Sequence, residues 1–173
     1  STLSNAKLTI TSTGGAGGGA GSINLPAISA AINGYDNSQT INGGIITLNG
    51  NITTERSNVT INGDVRLATD VTIDTWQSAA ANQTRTGTAG TVTIMGAGIS
   101  ATAANKSLTI NTSTDTGTGN FNTPTNTQDW THNGGAVTLS NAGNAGGNYL
   151  SSLTVNTSKN GSSNSGVNGA IVL

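Results

Sequence analysis

Six ionisable side chains, Glu55, Arg56, Asp64, Arg66, Asp70 and Asp74, fall within one stretch of a chain that is only 8% charged. Paired carboxylates are the minimum equipment for cleaving a glycosidic bond, one protonating the leaving oxygen and one attacking or activating water. Asp64 and Arg66 are two apart and share a face if their segment is a strand; Asp70 could meet a neighbour one strand away. The same residues also read as a solvated face of compensating charges. With no nucleophile or perturbed acid marked among them, that reading is preferred and no catalytic residue is assigned. Trp76 and Trp130 each follow an aspartate closely, in Asp74-Thr75-Trp76 and Asp129-Trp130. They are candidate glycan contacts if exposed and core fillers if buried, with burial favoured.

Other chemistries find less. His132 is the only histidine and cysteine is absent, so a zinc site would draw on the few carboxylates. Asp64, Asp70 and Asp74 lack the dense ligand spacing of calcium loops, and the glycine run at residues 14–21 has no following Gly-Lys-Ser/Thr to cradle phosphate. No metal or cofactor is expected. Threonines at period two, in Thr9-x-Thr11-x-Thr13, Thr84-x-Thr86-x-Thr88, Thr112-x-Thr114-x-Thr116-x-Thr118 and Thr123-x-Thr125-x-Thr127, suggest ice binding as an alternative. That function needs the same tract at constant spacing, whereas these fall unevenly.

The elements that would position such residues follow from a recurrence. Three units open on a glycine and an apolar-Thr-apolar triplet: Gly44-Ile45-Ile46-Thr47-Leu48, Gly90-Thr91-Val92-Thr93-Ile94 and Gly135-Ala136-Val137-Thr138-Leu139. The glycines are about 46 and 45 residues apart. A second triplet follows in each, running into asparagine: Val59-Thr60-Ile61-Asn62, Leu108-Thr109-Ile110-Asn111 and Leu153-Thr154-Val155-Asn156. Leu8-Thr9-Ile10 resembles the second half of an earlier copy. The tails closing the units vary in length and carry Tyr35, Trp76 and Trp130, as loops on a solenoid do.

Alternation of apolar residues with threonine is the period of a half-buried strand, so the apolar members should face a core and the threonines solvent. The one helical pattern is Pro26 to Gly34, where proline suits a first turn and Ile28 and Ile32 lie a turn apart. Seven Asn-Gly pairs fit two architectures. They are hairpin turns in an antiparallel β-sandwich, or corners of a parallel β-helix in which asparagines of successive rungs stack. The recurrence selects the second. The expected organisation is one domain over 1–173, irregular and Gly-rich over 1–43, with units 44–89, 90–134 and 135–173. Two rungs per unit would make about seven rungs, roughly 34 Å at one strand spacing each.

Composition narrows the partners. The 173 residues are 33% hydrophobic with a formal charge of -1, which offers no electrostatic footprint for nucleic acid. No apolar run approaches the roughly 18 residues needed to span a bilayer. Abundant Ser, Thr, Asn and Gly with little charge suit exposure outside a cell.

The runs Gly44 to Thr54, Asn58 to Asp74, Gly90 to Asn111 and Gly135 to Asn156 resemble the repeats of very large bacterial surface exoproteins of the filamentous-haemagglutinin-like, β-strand-repeat type. The resemblance implies a right-handed parallel β-helix, export to the cell surface, and a role in adhesion or in building extracellular fibres, with surface glycans or receptors on other cells as partners. The chain's brevity departs from that family and points to a fragment or a single fibre subunit. The C-terminal Ala170-Ile171-Val172-Leu173 is apolar and uncharged, unlike a blunted sheet edge. It is expected to pair with the next subunit in a head-to-tail filament.

Overall fold

The computed structural model describes residues 2–4, 7–13, 21–30, 37–76, 87–96, 98–113, 132–133, 135–139, 150–157 and 168–173. Among them all regular structure is β. The strands are β1 (Thr2–Ser4), β2 (Leu8–Thr11), β3 (Ser22–Leu25), β4 (Ala27–Ala30), β5 (Gln39–Leu48), β6 (Ile52–Thr54), β7 (Val59–Leu67) and β8 (Val71–Asp74), then β9 (Gly87–Thr88), β10 (Val92–Met95), β11 (Ile99–Ala101), β12 (Ser107–Asn111), β13 (His132–Asn133), β14 (Val137–Leu139), β15 (Ser152–Asn156) and β16 (Ile171–Val172).

Two sheets dominate. One runs β1-β4-β6-β8-β12-β15; the other runs β16-β14-β10-β7-β5-β2, with β3 on β5 and β11 on β7, and a small third sheet joins β9 to β13. Every strand pair is parallel, which excludes the antiparallel sandwich. The chain visits the two large sheets in turn, and each visit adds a strand beside the previous one. Each round of visits forms one level. At the chain's start the six-stranded sheet begins one strand early with β1, and at its end the other sheet finishes one strand late with β16.

The core lies between these sheets and is almost wholly aliphatic. Val59, Ile61, Val71, Ile73, Val92, Ile94, Leu108, Ile110, Val137 and Leu139 are all at most 2% exposed, while Thr60, Thr72, Thr93, Thr109 and Thr138 between them face partly outward. Leu153 and Val155 are partly buried against the same cluster because β15 is the last strand of its sheet. The alternation expected of the triplets is therefore what the strands show. Each fully buried aliphatic contributes about 1.5–3 kcal/mol before ordering entropy is subtracted.

The stacking partners of the triplets differ from the expected ones. Val92-Thr93-Ile94 lies on Val59-Thr60-Ile61, which lies on Gln39-Thr40-Ile41 and then on Leu8-Thr9-Ile10. Ile46-Thr47-Leu48 lies instead on Val65-Arg66-Leu67. In the second and third units the two triplets sit in different sheets, whereas in the first Ile46-Thr47-Leu48 and Val59-Thr60-Ile61 both lie in the eight-stranded sheet, on β5 and β7. Near-identical triplets hide this; the corners decide it. The glycines that recur at one corner are Gly90, Gly135 and Gly169. A Cβ on Gly90 would meet the Ser57 carbonyl oxygen, one on Gly135 that of Gly90, and one on Gly169 that of Gly135. Gly44 lies elsewhere, beside an extra residue in β5 where the register with β7 shifts between Asn42 and Ile45.

Two further expectations are corrected. Pro26 to Gly34 is not a helix where it is described: Ala27–Ala30 is β4, with Ile28 and Ala30 buried and Ser29 exposed. Pairing Ile28 with both Leu3 and Ile52 outweighs the local helical spacing, and residues 31–34 lie outside the described residues. Asn42-Gly43 and Asn62-Gly63 make no hairpins. They bend β5 and β7 in mid-strand, and Asn62 Nδ2 donates to Asn42 Oδ1 at 2.7 Å while Asn42 Nδ2 donates to Thr11 Oγ1 at 3.2 Å. Asn62, Asn42 and Thr11 thus form a hydrogen-bonded row across β7, β5 and β2.

A prediction arises from the glycine corner. Gly135→Ala presses a methyl on the Gly90 carbonyl and is expected to cost about 1–3 kcal/mol in urea denaturation, as overpacking does. A stability within 0.3 kcal/mol of wild type, roughly the scatter of such measurements, would show that the levels are not packed this closely.

Candidate functional site

The charged stretch is spread over separate places. Asp64 and Arg66 lie on β7 of the eight-stranded sheet, opposite Ile45 and Thr47, whereas Asp70 and Asp74 flank and end β8 of the other sheet. Glu55 is 3% exposed, and an isolated antiparallel bridge joins it to Trp76. Arg56 takes a left-handed φ of 54° where the chain turns from one sheet to the next. Asp74 accepts the Trp76 backbone N–H at 2.9 Å and the Asn111 side chain at 3.3 Å, a turn-capping role. Among the described residues no group of three or more His, Cys, Asp or Glu is placed to hold a metal ion. His132 lies in β13 opposite Gly87.

Asp70 caps the level above it. The exposed carboxylate accepts the Ser107 backbone N–H at 2.9 Å, and that bond, then the Ser107 side chain, holds its pKa below the ordinary 3.8; slight desolvation opposes this and Lys106 adds to it. A depressed folded-state value means the contribution is complete above the unfolded pKa and disappears as pH falls through the folded one. The stability difference between wild type and Asp70→Asn at pH 6 should therefore vanish by about pH 2, a range that spans the carboxylate titration. Thermal melts at both pH values test this, and an unchanged difference at low pH would contradict it.

Trp76 is fully buried, so its ring offers no face to a sugar, and its candidacy as a glycan contact is withdrawn. Trp130 and Tyr35 lie outside the described residues.

A set of four threonines went unrecognised in the sequence. Thr54, Thr75, Thr112 and Thr157 are buried at the ends of strands of the six-stranded sheet. Their hydroxyls donate to the carbonyls of Ser57, Gly90, Gly135 and Gly169, at 2.6, 2.7, 2.6 and 2.9 Å. At three of these places the backbone answers: Gly90 N–H donates to Thr75 O at 3.5 Å, Gly135 N–H to Thr112 O at 3.0 Å and Gly169 N–H to Thr157 O at 2.9 Å. The clamped pairs span 3, 15, 23 and 12 residues. The connections after Thr75, Thr112 and Thr157 therefore have their bases tied by a threonine hydroxyl bond, buried at the first two and part-buried at the third. For Thr75, Thr112 and Thr157 the signal was present as Asp-Thr or Asn-Thr after a triplet, with glycine two residues before the next strand's first apolar residue; Thr54 and Ser57 carry neither mark.

The outward face of the eight-stranded sheet carries a regular threonine column, Thr9, Thr40, Thr60, Thr93 and Thr138, in register over five levels. Its neighbours two residues on are Thr11, Asn42, Asn62 and Met95, so the regularity is one column wide. The longer threonine tracts fall mostly outside the described residues.

The remaining unusual surface is the open end of the stack. Ile171, Val172 and Leu173 are 47%, 55% and 74% exposed, and with Met95 they are the large exposed hydrophobics among the described residues. Among the described residues β16 pairs with β14 alone, continuing the column through Val137↔Ile171 and Thr138↔Val172. At the other end Leu8 and Ile10 of β2 are partly buried against the core, with β5 on one side alone. Such an edge is a row of unused backbone donors and acceptors. No protein-family model, curated protein or solved structure matches this chain. What the surface does must be argued from its own geometry.

Proposed function

We propose that the chain is a right-handed parallel β-helix acting as a structural and adhesive extracellular module, a subunit of a surface fibre that assembles head to tail through its open sheet edges. The observation that carries this reading is β16: a strand in register with the whole column, apolar and exposed, at an edge with nothing beyond it among the described residues. Parallel strands of one sheet joined by a crossover are right-handed almost without exception, and the regular alternation of sheets matches one turn per level. The likeness of its triplets to filamentous-haemagglutinin-like repeats supports a place at the cell surface, as does a composition rich in Ser, Thr, Asn and Gly with 8% charge. Electron microscopy of purified protein at rising concentration tests it: filaments are expected, and single short particles at high concentration would overturn assembly.

The reading gives Asp64, Asp70 and Asp74 no catalytic step, since Asp70 and Asp74 are occupied in capping and Asp64 lies in the other sheet. Incubation with pectin and related polysaccharides should release no reducing sugar. A turnover abolished by Asp64→Asn, Asp70→Asn or Asp74→Asn would make this a carbohydrate-cleaving β-helix instead. The threonine column meets one requirement of the ice-binding alternative, constant spacing, but its width falls short of a lattice.

A further inference from the structure

Four Asn-Gly pairs lie among the described residues, at 42–43, 49–50, 62–63 and 168–169. Asparagine before glycine is prone to self-modification, because with no Cβ on the glycine its nitrogen can swing onto the side-chain amide carbon of the residue before it. Folding decides which pair can do so: the nitrogen must be unbonded and the side chain free to turn back on the chain. Asn42 and Asn62 lie inside β5 and β7, each with a paired strand on both sides. Their amides are tied as well, Asn62 Nδ2 to Asn42 Oδ1 and Asn42 Nδ2 to Thr11 Oγ1. In the fourth pair the attacking group is already engaged, since Gly169 N–H donates to Thr157 O at 2.9 Å. Asn49-Gly50 differs in each respect. It follows the end of β5 and belongs to no strand, and Asn49 is exposed. Gly50 N–H meets no acceptor among the described residues, and the Asn49 amide makes long bonds, at 3.2 and 3.4 Å, to the carbonyls of Leu25 and Thr47.

We propose that Asn49 is a self-modification site, converting to aspartate or isoaspartate with water as co-reactant, while the fold protects the other three pairs. Gly50 N loses its proton to solvent and bonds to Asn49 Cγ; the bond from Cγ to the amide nitrogen breaks, and that nitrogen takes a proton and leaves as ammonia. The succinimide so formed adds one water at either ring carbonyl. Breaking the new bond from Gly50 N to Cγ gives aspartate on an ordinary backbone. Breaking the original peptide bond gives isoaspartate, with Cβ and Cγ carried into the main chain. The product matters at this corner. Leu25 O accepts both the Asn49 backbone N–H, at 2.9 Å, and the side-chain amide, so these bonds tie the end of β5 to the end of β3. A carboxylate has no hydrogen to donate, and it sets a negative charge against the Leu25 and Thr47 carbonyl oxygens. Isoaspartate also lengthens the main chain by one atom beside Gly50, where space is short: a Cβ there would already meet the Ala27 side chain and backbone. One chemical event thus loosens the corner between β5 and β6 and adds a negative charge to a chain of formal charge -1.

Peptide mapping by tandem mass spectrometry tests the assignment, on folded protein and on protein in concentrated urea incubated side by side near neutral pH. Each conversion replaces an amide by an acid and is read as a gain of one mass unit at its own position. In urea the four pairs, alike in both residues, should convert at similar rates. In the folded protein position 49 should convert at least about tenfold faster than positions 42, 62 and 168, because each of those must first open locally before its nitrogen can attack. Conversion at 49 no faster than at the other three, or the same preference for 49 in urea, overturns the proposal. Asn49→Asp carries the simpler product from the start and should unfold at a lower urea midpoint than wild type. An unchanged midpoint would overturn the consequence drawn for the corner.

Discussion

Ile171→Lys together with Leu173→Lys is expected to turn filaments into folded monomers. Both residues are half exposed or more in the isolated chain, so lysine there costs the subunit little: solvent-exposed substitutions shift stability by roughly 0.5 kcal/mol or less. In an assembly that buries β16 the same positions would bring two ammonium groups into an apolar interface. Burying an unpaired charge costs several kcal/mol, which corresponds to a loss of at least about 100-fold in association. Sedimentation velocity should show a single species near the 17.0 kDa of the chain, with an unchanged far-ultraviolet circular dichroism spectrum. Filaments persisting in this variant would place the contact elsewhere. Loss of the β spectrum would mean that β16 belongs to the fold more than its exposure indicates, and the truncation removing residues 170–173 then provides the comparison.

The second large effect lies in the core. Ile94 is 1% exposed and stacks between Ile61 and Leu139, whereas Thr93 beside it points outward between Thr60 and Thr138. Ile94→Ala leaves a cavity across three levels and is expected to cost about 2–5 kcal/mol. Thr93→Ala should cost less than about 1 kcal/mol, the scale of a lost cross-strand contact and some strand propensity. Urea denaturation of both variants measures the pair. Equal costs, or the larger one at Thr93, would mean that the strand faces the opposite way.

Which parts of this architecture can be read in the amino-acid order depends on whether the cause is local. Alternation in Val-Thr-Ile and Leu-Thr-Ile is a local signal, and it identified both the strands and their inward residues. Which triplet lies on which is not local. Val59-Thr60-Ile61 has the same side chains as Val71-Thr72-Ile73, and only the corner glycines and the extra residue in β5 distinguish their places. The segment at Ala27–Ala30 shows the same limit: Ile28 and Ile32 are spaced for a helix, but two strands already in register at Leu3 and Ile52 recruit it. Asn-Gly supports a hairpin or a bend equally well, and parallel pairing decides for the bend. The threonine clamps were passed over for a related reason, although Asp-Thr and Asn-Thr after a triplet marked three of them. Thr75 and Thr112 look like any strand-end threonine until the chain returns, 15 and 23 residues later, to present a carbonyl to each.

The central claim is that strands stack in parallel register along one axis and that this axis is the axis of the fibre. Diffraction from an oriented filament specimen tests it most directly. A sharp reflection at about 4.8 Å on the meridian is expected, because every strand would cross the axis and neighbouring strands are one hydrogen-bonded spacing apart. A 4.8 Å reflection on the equator, with strands running along the filament, would contradict it.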